Sequence, residues 1–267
     1  MIFDGKAFAN ELENTLSYKV RNLVKKPKVV SVLLGDDPAS VLYTKLKKQA
    51  AKRVGIEFEV VHLDSQQLTA NSLRQNILEV GARAEITGVM VQLPIRGLQG
   101  QALQEVLRAI PLSKDVDGLR WEESGIMPAT VRAILSILDE IAKRQSPGLW
   151  ERRFVVVGSK GAVGRPLVHY LRERGVEVSE VEWDTPNPGE IIRQGEVVIS
   201  CTGKEGVITS KLISEGAVVI DVGSPRGEMT AEVYQKASVA VPVPNGVGPV
   251  TIVSLLANAE EIYAKHC

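Results

Sequence analysis

The chain has 267 residues, of which 44% are hydrophobic and 24% charged, enough apolar material for a full core and for two modest domains. Its 32 basic residues balance 32 acidic ones, so no overall field favours nucleic acid or an anionic membrane, and neither is expected as a partner. Cys201 and Cys267 form neither a disulfide framework nor a metal cluster, no apolar run nears the roughly 20 residues of a membrane span, and Met1 to Lys6 lack a signal-peptide pattern; the cytoplasm is the expected compartment.

Apolar, β-rich runs recur at Val29 to Leu34, Phe58 to Leu63, Val89 to Leu93, Phe154 to Val157, Val176 to Val181, Val197 to Ser200 and Val218 to Val222. Amphipathic stretches separate most of them. That alternation predicts an α/β fold of parallel sheets with helices on both faces. Pro128 to Lys143 carries apolar positions at helical spacing, and Gln145-Ser-Pro-Gly148 breaks it, so the domain junction is placed on this helix. The predicted partition is 1–127 plus 249–267 for a first domain and 128–248 for a second. A final helix from Pro249 to Lys265 is expected to pack back on the first domain.

In the first domain Gly35-Asp-Asp-Pro38 reads as a turn leading into a helix that carries Tyr43 and Lys47 at i and i+4. An aromatic ring and an amine on one face suit a small pocket; Lys45, Lys47, Lys48 and Lys52 also fit a solvated basic face. Gln92 stands with Pro94 at the end of an apolar strand, where open α/β sheets gather ligands, and a buried Gln needs a partner, either backbone or ligand. Lys114-Asp-Val-Asp117-Gly118 supplies two loop carboxylates able to bind a metal, accept hydrogen bonds or cap a turn. His62, His169 and His266 lack ligand spacing, and no metal is expected.

In the second domain Gly158-Ser159-Lys160-Gly161-Ala-Val163-Gly164-Arg-Pro166 follows an apolar run and opens a helix-compatible segment. Backbone N–H groups there suit a dinucleotide pyrophosphate. The spacing is GxxGxxG rather than GxGxxG, and a plain strand-to-helix turn fits it as well.

Taken in order, Gly35 to Ser40 with Tyr43 and Lys47, Val91-Gln92-Leu-Pro94, Lys114 to Gly118, Gly161 to Pro166, Val219-Ile-Asp-Val222-Gly223, and Pro242 to Pro249 followed by Thr251 resemble the bifunctional methylenetetrahydrofolate dehydrogenase/cyclohydrolase family. The resemblance covers nearly the whole chain. It implies a folate-binding catalytic domain, a Rossmann domain, long helices joining them, and a homodimer through the Rossmann domains. The implied reaction oxidises 5,10-methylenetetrahydrofolate with NADP or NAD and hydrolyses the methenyl product to 10-formyltetrahydrofolate. Lys47 is then the central catalytic residue, Gln92 positions it, Tyr43 stacks on the aminobenzoate ring and Asp117 anchors the pterin, with Pro244 and Gly246 also at the substrate. Cofactor contacts are implied at Thr130, Gly158, Ser159, Lys160, Gly161, Val163, Asp184, Thr202, Gly203, Val222, Gly223, Gly248 and Thr251.

The chain departs from the family pattern in places. The Arg usual after the first glycine is absent, Ser159 and Lys160 standing there instead, and the second Rossmann strand leads to Glu182-Trp-Asp184. Acidic groups at that strand end repel a 2′-phosphate and suit ribose hydroxyls, which favours NAD over NADP, although Lys160 offers a replacement charge. Pro128-Ala-Thr130-Val131 and Val241-Pro-Val-Pro-Asn245-Gly246 have also drifted, Asn245 being among the better non-glycine choices if φ must be positive. The alternatives are a cyclohydrolase with a weakened cofactor domain and a catalytically silent folate-binding paralogue.

Overall fold

The computed structural model describes residues 1–64, 69–95, 97–144 and 148–266. In chain order the elements are α1 (Gly5–Arg21), β1 (Lys28–Leu34), α2 (Pro38–Val54), β2 (Glu57–Leu63), α3 (Ala70–Ala82), β3 (Gly88–Val91), α4 (Gly100–Leu107), α5 (Trp121–Ser124) and α6 (Ala129–Arg144). There follow β4 (Phe154–Val157), α7 (Gly164–Glu173), β5 (Val178–Val181), α8 (Pro188–Gln194), β6 (Val197–Ser200), β7 (Val218–Asp221), α9 (Ala231–Lys236), β8 (Val239–Val241) and α10 (Val247–His266). The expected helix break at Gln145 to Pro147 and the thiol of Cys267 lie outside the described residues.

The chain divides into two compact units, Met1–Ala9 with Thr130–Thr251, and Asn10–Ala129 with Ile252–Cys267. The chain passes between the units at the start of α6 and within α10, and the first nine residues group with Thr130–Thr251. The cause is an open sheet edge. Phe3 donates its N–H to Ala240 O and Ala240 donates to Met1 O, both at 2.8 Å, so the N-terminus extends the sheet beside β8.

The unit Asn10–Ala129 with Ile252–Cys267 holds a parallel sheet in the order β2-β1-β3. Val30 and Val32 of β1 and Val89 and Val91 of β3 point to one face, packed on Leu73, Ile77 and Val80 of α3 and on Val106 and Ile110. Burying each such side chain is worth roughly 1.5–3 kcal/mol. Side chains alternate along a strand, so Ser31 points to the opposite face. Helix α2 is firmly bounded: Asp37 accepts from Ser40 N, Pro38 occupies the first turn, and Gly55 closes the C-terminus with φ of 88°. Asn258 of α10 donates to Val116 O and Met127 O, both at 2.9 Å, which ties that helix to the unit's last loop.

The other unit carries a parallel sheet in the order β5-β4-β6-β7-β8. Phe154–Val157, Val197–Ser200 and Val218–Asp221 are buried along their whole length, as strands covered on both faces must be. The order places β4 and β6 side by side, with the chain crossing over between them, and such a reversal point opens a crevice at the strands' carboxyl ends. Strand β8 has three residues and gave no run in the sequence long enough to separate from its flanks.

Candidate active site

In the unit that holds β1 to β3 the bounds of α2 decide which lysine turns inward. Lys45, Lys48 and Lys52 are exposed, whereas Lys47 is only 8% exposed, so the solvated-face reading holds for its neighbours and fails for it. Its Nζ donates to Gln92 Oε1 at 3.0 Å. Gln92 continues the β3 ladder, its N–H donating to Val32 O at 2.9 Å, and its Nε2 donates to Leu93 O at 2.8 Å. The backbone partner expected for Gln92 is therefore present at one end of the amide, and the other end meets the Lys47 amine. Burial lowers the Lys47 pKa from the ordinary lysine value, and the charge of Asp117 opposes that by raising it. Tyr43 lies one turn before Lys47 on α2 and is half-buried.

Asp117 is held by a loop whose other members are spent on scaffolding. Lys114 Nζ donates to Gly81 O at 2.9 Å and Arg83 O at 2.8 Å, capping the end of α3, and Asp115 accepts from Leu119 N at 3.2 Å and Arg120 N at 2.8 Å. Gly118 turns at φ 68°, where a Cβ would stand 2.6 Å from Pro128 Cα, and Asp117 O accepts from Ala129 N at 3.1 Å. Burial raises the Asp117 carboxyl pKa, while Lys47 lowers it. Asp115, wholly buried, is raised by burial to about 6. Ser40 and Thr44 lie on the same stripe of α2 as Lys47, and their buried hydroxyls have no hydrogen-bond partner among the described residues. The sequence reading singled out neither for a role, although the spacing 40, 44, 47 is visible in it.

In the second unit the glycines make the turn that the sequence suggested. Gly158 adopts φ of 81°, and a Cβ there would meet Cys201 O at 2.6 Å; one on Gly164 would meet Gly158 O at 2.0 Å. Gly161 is looser, with Gly158 O at 3.3 Å, and is exposed. Helix α7 then starts with no side-chain cap: Arg165 N donates to Gly161 O at 3.0 Å and Leu167 N to Val163 O at 3.1 Å, and Pro166 has no N–H, so the turn's own backbone closes the helix start. Ser159 is buried, Lys160 exposed and Val163 half-buried. Thr202 and Gly203 follow β6, Val222 and Gly223 follow β7, and Pro244, Gly246 and Gly248 follow β8, all at carboxyl ends of strands. Asn245 holds φ of 74°, as its sequence context suggested, and a Cβ on Gly246 would stand 2.3 Å from Pro242 O. Thr130 lies inside the first turn of α6 rather than at its cap, and Thr251 Oγ1 donates to Val247 O at 3.1 Å. Glycine turn, exposed Gly161 and strand-end loops together fit a dinucleotide.

At the end of β5 the acidic residue in place is Glu182, not Asp184. Glu182 Oε1 accepts from Lys160 N at 2.5 Å and Ser159 Oγ at 3.2 Å, whereas Asp184 is exposed with its Oδ1 3.8 Å from Lys160 Nζ. The strand stops at Val181, where the apolar run Val176 to Val181 also ends, so Glu182 is the first residue beyond it. Among the described residues no group of three or more His, Cys, Asp and Glu is placed to hold a metal, and no helix is long and apolar enough to cross a membrane.

Residues 3–117 match the family model "Tetrahydrofolate dehydrogenase/cyclohydrolase, catalytic domain", and residues 128–267 match "Tetrahydrofolate dehydrogenase/cyclohydrolase, NAD(P)-binding domain". The chain is 34% identical to the bifunctional protein FolD of Lactobacillus gasseri over 284 aligned positions, covering 99% of this chain and 98% of that one. Among solved structures it resembles the bifunctional FolD of Campylobacter jejuni, with a TM-score of 0.89, 29% identity and coverage of 100% of this chain and 99% of that one. The Trypanosoma brucei dehydrogenase-cyclohydrolase, solved with NADP and an inhibitor, matches with a TM-score of 0.88 at 26% identity, over 100% and 98% of the two chains.

Proposed function

The chain belongs to the tetrahydrofolate dehydrogenase/cyclohydrolase family, and on that premise we propose that it oxidises 5,10-methylenetetrahydrofolate to the methenyl compound and hydrolyses that product to 10-formyltetrahydrofolate. A bound nicotinamide cofactor supplies the hydride acceptor for the first step. The observation that carries the reading is the buried Lys47 amine on the neutral Gln92 amide.

Loss of hydride leaves a cationic one-carbon bridge, and water must then add to it with protons moving between oxygen and nitrogen. Desolvation favours the neutral amine of Lys47, which takes a proton from the adding water and returns one to the ring nitrogen as its C–N bond breaks. Arg would stay protonated throughout. Gln92 accepts from the amine without adding a charge that pins it as ammonium, and Asp117 offers two oxygens to adjacent N–H donors of a pterin edge. Tyr43 presents a ring to the aminobenzoate. Purified protein given methylenetetrahydrofolate and cofactor should show methenyl absorbance rise and then decay. No cofactor reduction and no decay of added methenyl compound would refute the proposal.

The preferred cofactor in this reading is NAD. Glu182 sits at the end of β5 against the glycine turn, a position suited to ribose hydroxyls and hostile to a 2′-phosphate, and Asp184 Oδ1 lies 3.8 Å from the Lys160 ammonium. Comparing kcat/KM for NAD and NADP tests this; Glu182→Gln should shift the ratio toward NADP, and a wild-type preference for NADP refutes it. A homodimer through the dinucleotide units rests on the family resemblance, and sedimentation should then give twice the 29.0 kDa chain mass. The sparse cysteines support a cytoplasmic location.

A further inference from the structure

Two carboxylates in the dinucleotide unit are buried without taking part in the chemistry above: Asp221 is 0% exposed and Glu228 2%. Neither makes an ion pair among the described residues. Buried anions persist only where donors surround them. Glu228 Oε2 accepts from Ser200 Oγ at 2.5 Å, Thr202 N at 2.7 Å and Thr202 Oγ1 at 2.8 Å, and its Oε1 accepts from Gly203 N at 2.7 Å. Every one of these donors belongs to the end of β6 or the loop that leaves it. Asp221, at the end of the neighbouring β7, holds Glu228 in turn: its Oδ1 accepts from Gly223 N at 2.8 Å and Glu228 N at 3.1 Å, and its Oδ2 from Met229 N at 2.8 Å and Tyr234 Oη at 2.6 Å.

The loop so held is also the wall of the glycine turn. The Cβ position of Gly158 lies 2.6 Å from Cys201 O and 3.0 Å from Thr202 Cα, so any displacement of residues 201–203 moves the turn with it. The far side is open: a Cβ on Gly203 would meet nothing within 4 Å. One carboxylate therefore faces inward to backbone donors, while the loop's outer face is left for a ligand.

We propose that Glu228 is a positioning residue for the dinucleotide, its carboxylate clamping Thr202–Gly203 from below and through that loop fixing the glycine turn. This rests on the functional reading given above. Glu228 does not touch the cofactor; it acts through N–H groups that a neutral side chain of the same length cannot all satisfy, since an amide has one acceptor oxygen where the carboxylate has two.

The test is calorimetric titration of NAD into wild type, Glu228→Gln and Glu228→Asp, with cofactor-free hydrolysis of the methenyl compound measured beside it. Glu228→Gln should raise the dissociation constant ten- to a hundredfold and raise KM for the cofactor, while hydrolysis and KM for the folate stay within about twofold. Glu228→Asp, which keeps both oxygens, should recover part of the affinity. If Glu228→Gln does not fold, Ser200→Ala removes one donor of the clamp from a strand residue, and a three- to tenfold weakening is expected. Unchanged NAD affinity in a folded Glu228→Gln or Ser200→Ala protein overturns the proposal, as does a parallel loss of hydrolysis. A wild type that hydrolyses but binds no dinucleotide refutes the dehydrogenase reading instead, so the two failures are distinguishable.

Discussion

Replacing Lys47 by Met separates a catalytic amine from a structural one, because the two roles predict opposite signs for stability. The substitution removes the Nζ that lies 3.0 Å from Gln92 Oε1 and keeps an unbranched side chain of similar length. Leaving that acceptor unpaired costs about 1–3 kcal/mol. Relieving the desolvation of a buried ammonium returns a comparable or larger amount, several kcal/mol per ion. Folding should therefore be little changed or slightly improved, with a melting shift of a few degrees at most, since 1 kcal/mol corresponds to about 2–4 °C in a chain of this size. Activity behaves otherwise. Loss of a positioned acid–base group removes about 10²–10⁴ in rate, or about 3–5 kcal/mol of barrier stabilisation. The assay is decay of the methenyl compound without cofactor, paired with a circular-dichroism melt. A rate loss below tenfold, or a loss that merely tracks the unfolded fraction, would refute the reasoning.

Asp117→Asn removes the negative charge that raises the Lys47 pKa, so the amine should titrate at lower pH and the rate limb that reports it should move toward acid; Gln92→Glu adds charge and should move the same limb toward alkali. A pH–rate profile in which both variants move together would contradict this electrostatic account. Gly164→Ala places a methyl 2.0 Å from Gly158 O, forcing the turn open, and should weaken NAD binding at least tenfold while sparing cofactor-free hydrolysis. Asp115, raised from 3.8 to about 6 in the fold, binds a proton more readily folded than unfolded between those values. Stability should therefore fall as pH rises through that window, by about 3 kcal/mol in all, and Asp115→Asn should lose that slope in denaturant titrations at pH 4 and pH 7.

What was legible in the sequence was what depends on pattern. Uninterrupted runs such as Val197 to Ser200 and Val218 to Asp221 signalled strands buried on both faces, and the sheets are parallel as expected. Tyr43, Lys47, Gln92 and Asp117 were visible through their motifs. The burial of Lys47 beside the exposed Lys45, Lys48 and Lys52 was harder to see, yet its signal was present: it shares one stripe of α2 with the small or apolar Ser40, Thr44, Ala51 and Val54. Other features depend on tertiary closure. Three N-terminal residues cannot announce that they will extend a distant sheet edge, and the choice between Glu182 and Asp184 turned on which carboxylate reaches the Lys160 N–H, a contact between residues 22 apart in sequence. Glu228 carried no motif at all, because its role arises only when the chain after β7 returns beneath the end of β6.

The two units treat buried charge in opposite ways, and the difference follows what each must do. In the dinucleotide unit Asp221 and Glu228 are surrounded by donors fixed in backbone or held by sheet residues, so each carboxylate has one arrangement. Such saturation makes geometry rigid. In the catalytic unit Lys47 has one neutral partner, a carboxylate that acts on it through charge, and two buried hydroxyls on its helix stripe that have no hydrogen-bond partner among the described residues. Burial thus disfavours its charged form, and a cationic substrate entering beside it favours the neutral amine further. A saturated site can hold a ligand in place but has no proton to exchange; an unsaturated one can exchange protons but needs its ligand to complete it. The first arrangement suits cofactor binding and the second suits hydrolysis, which is why loosening Glu228 and deleting the Lys47 amine should disable different halves of the same reaction sequence.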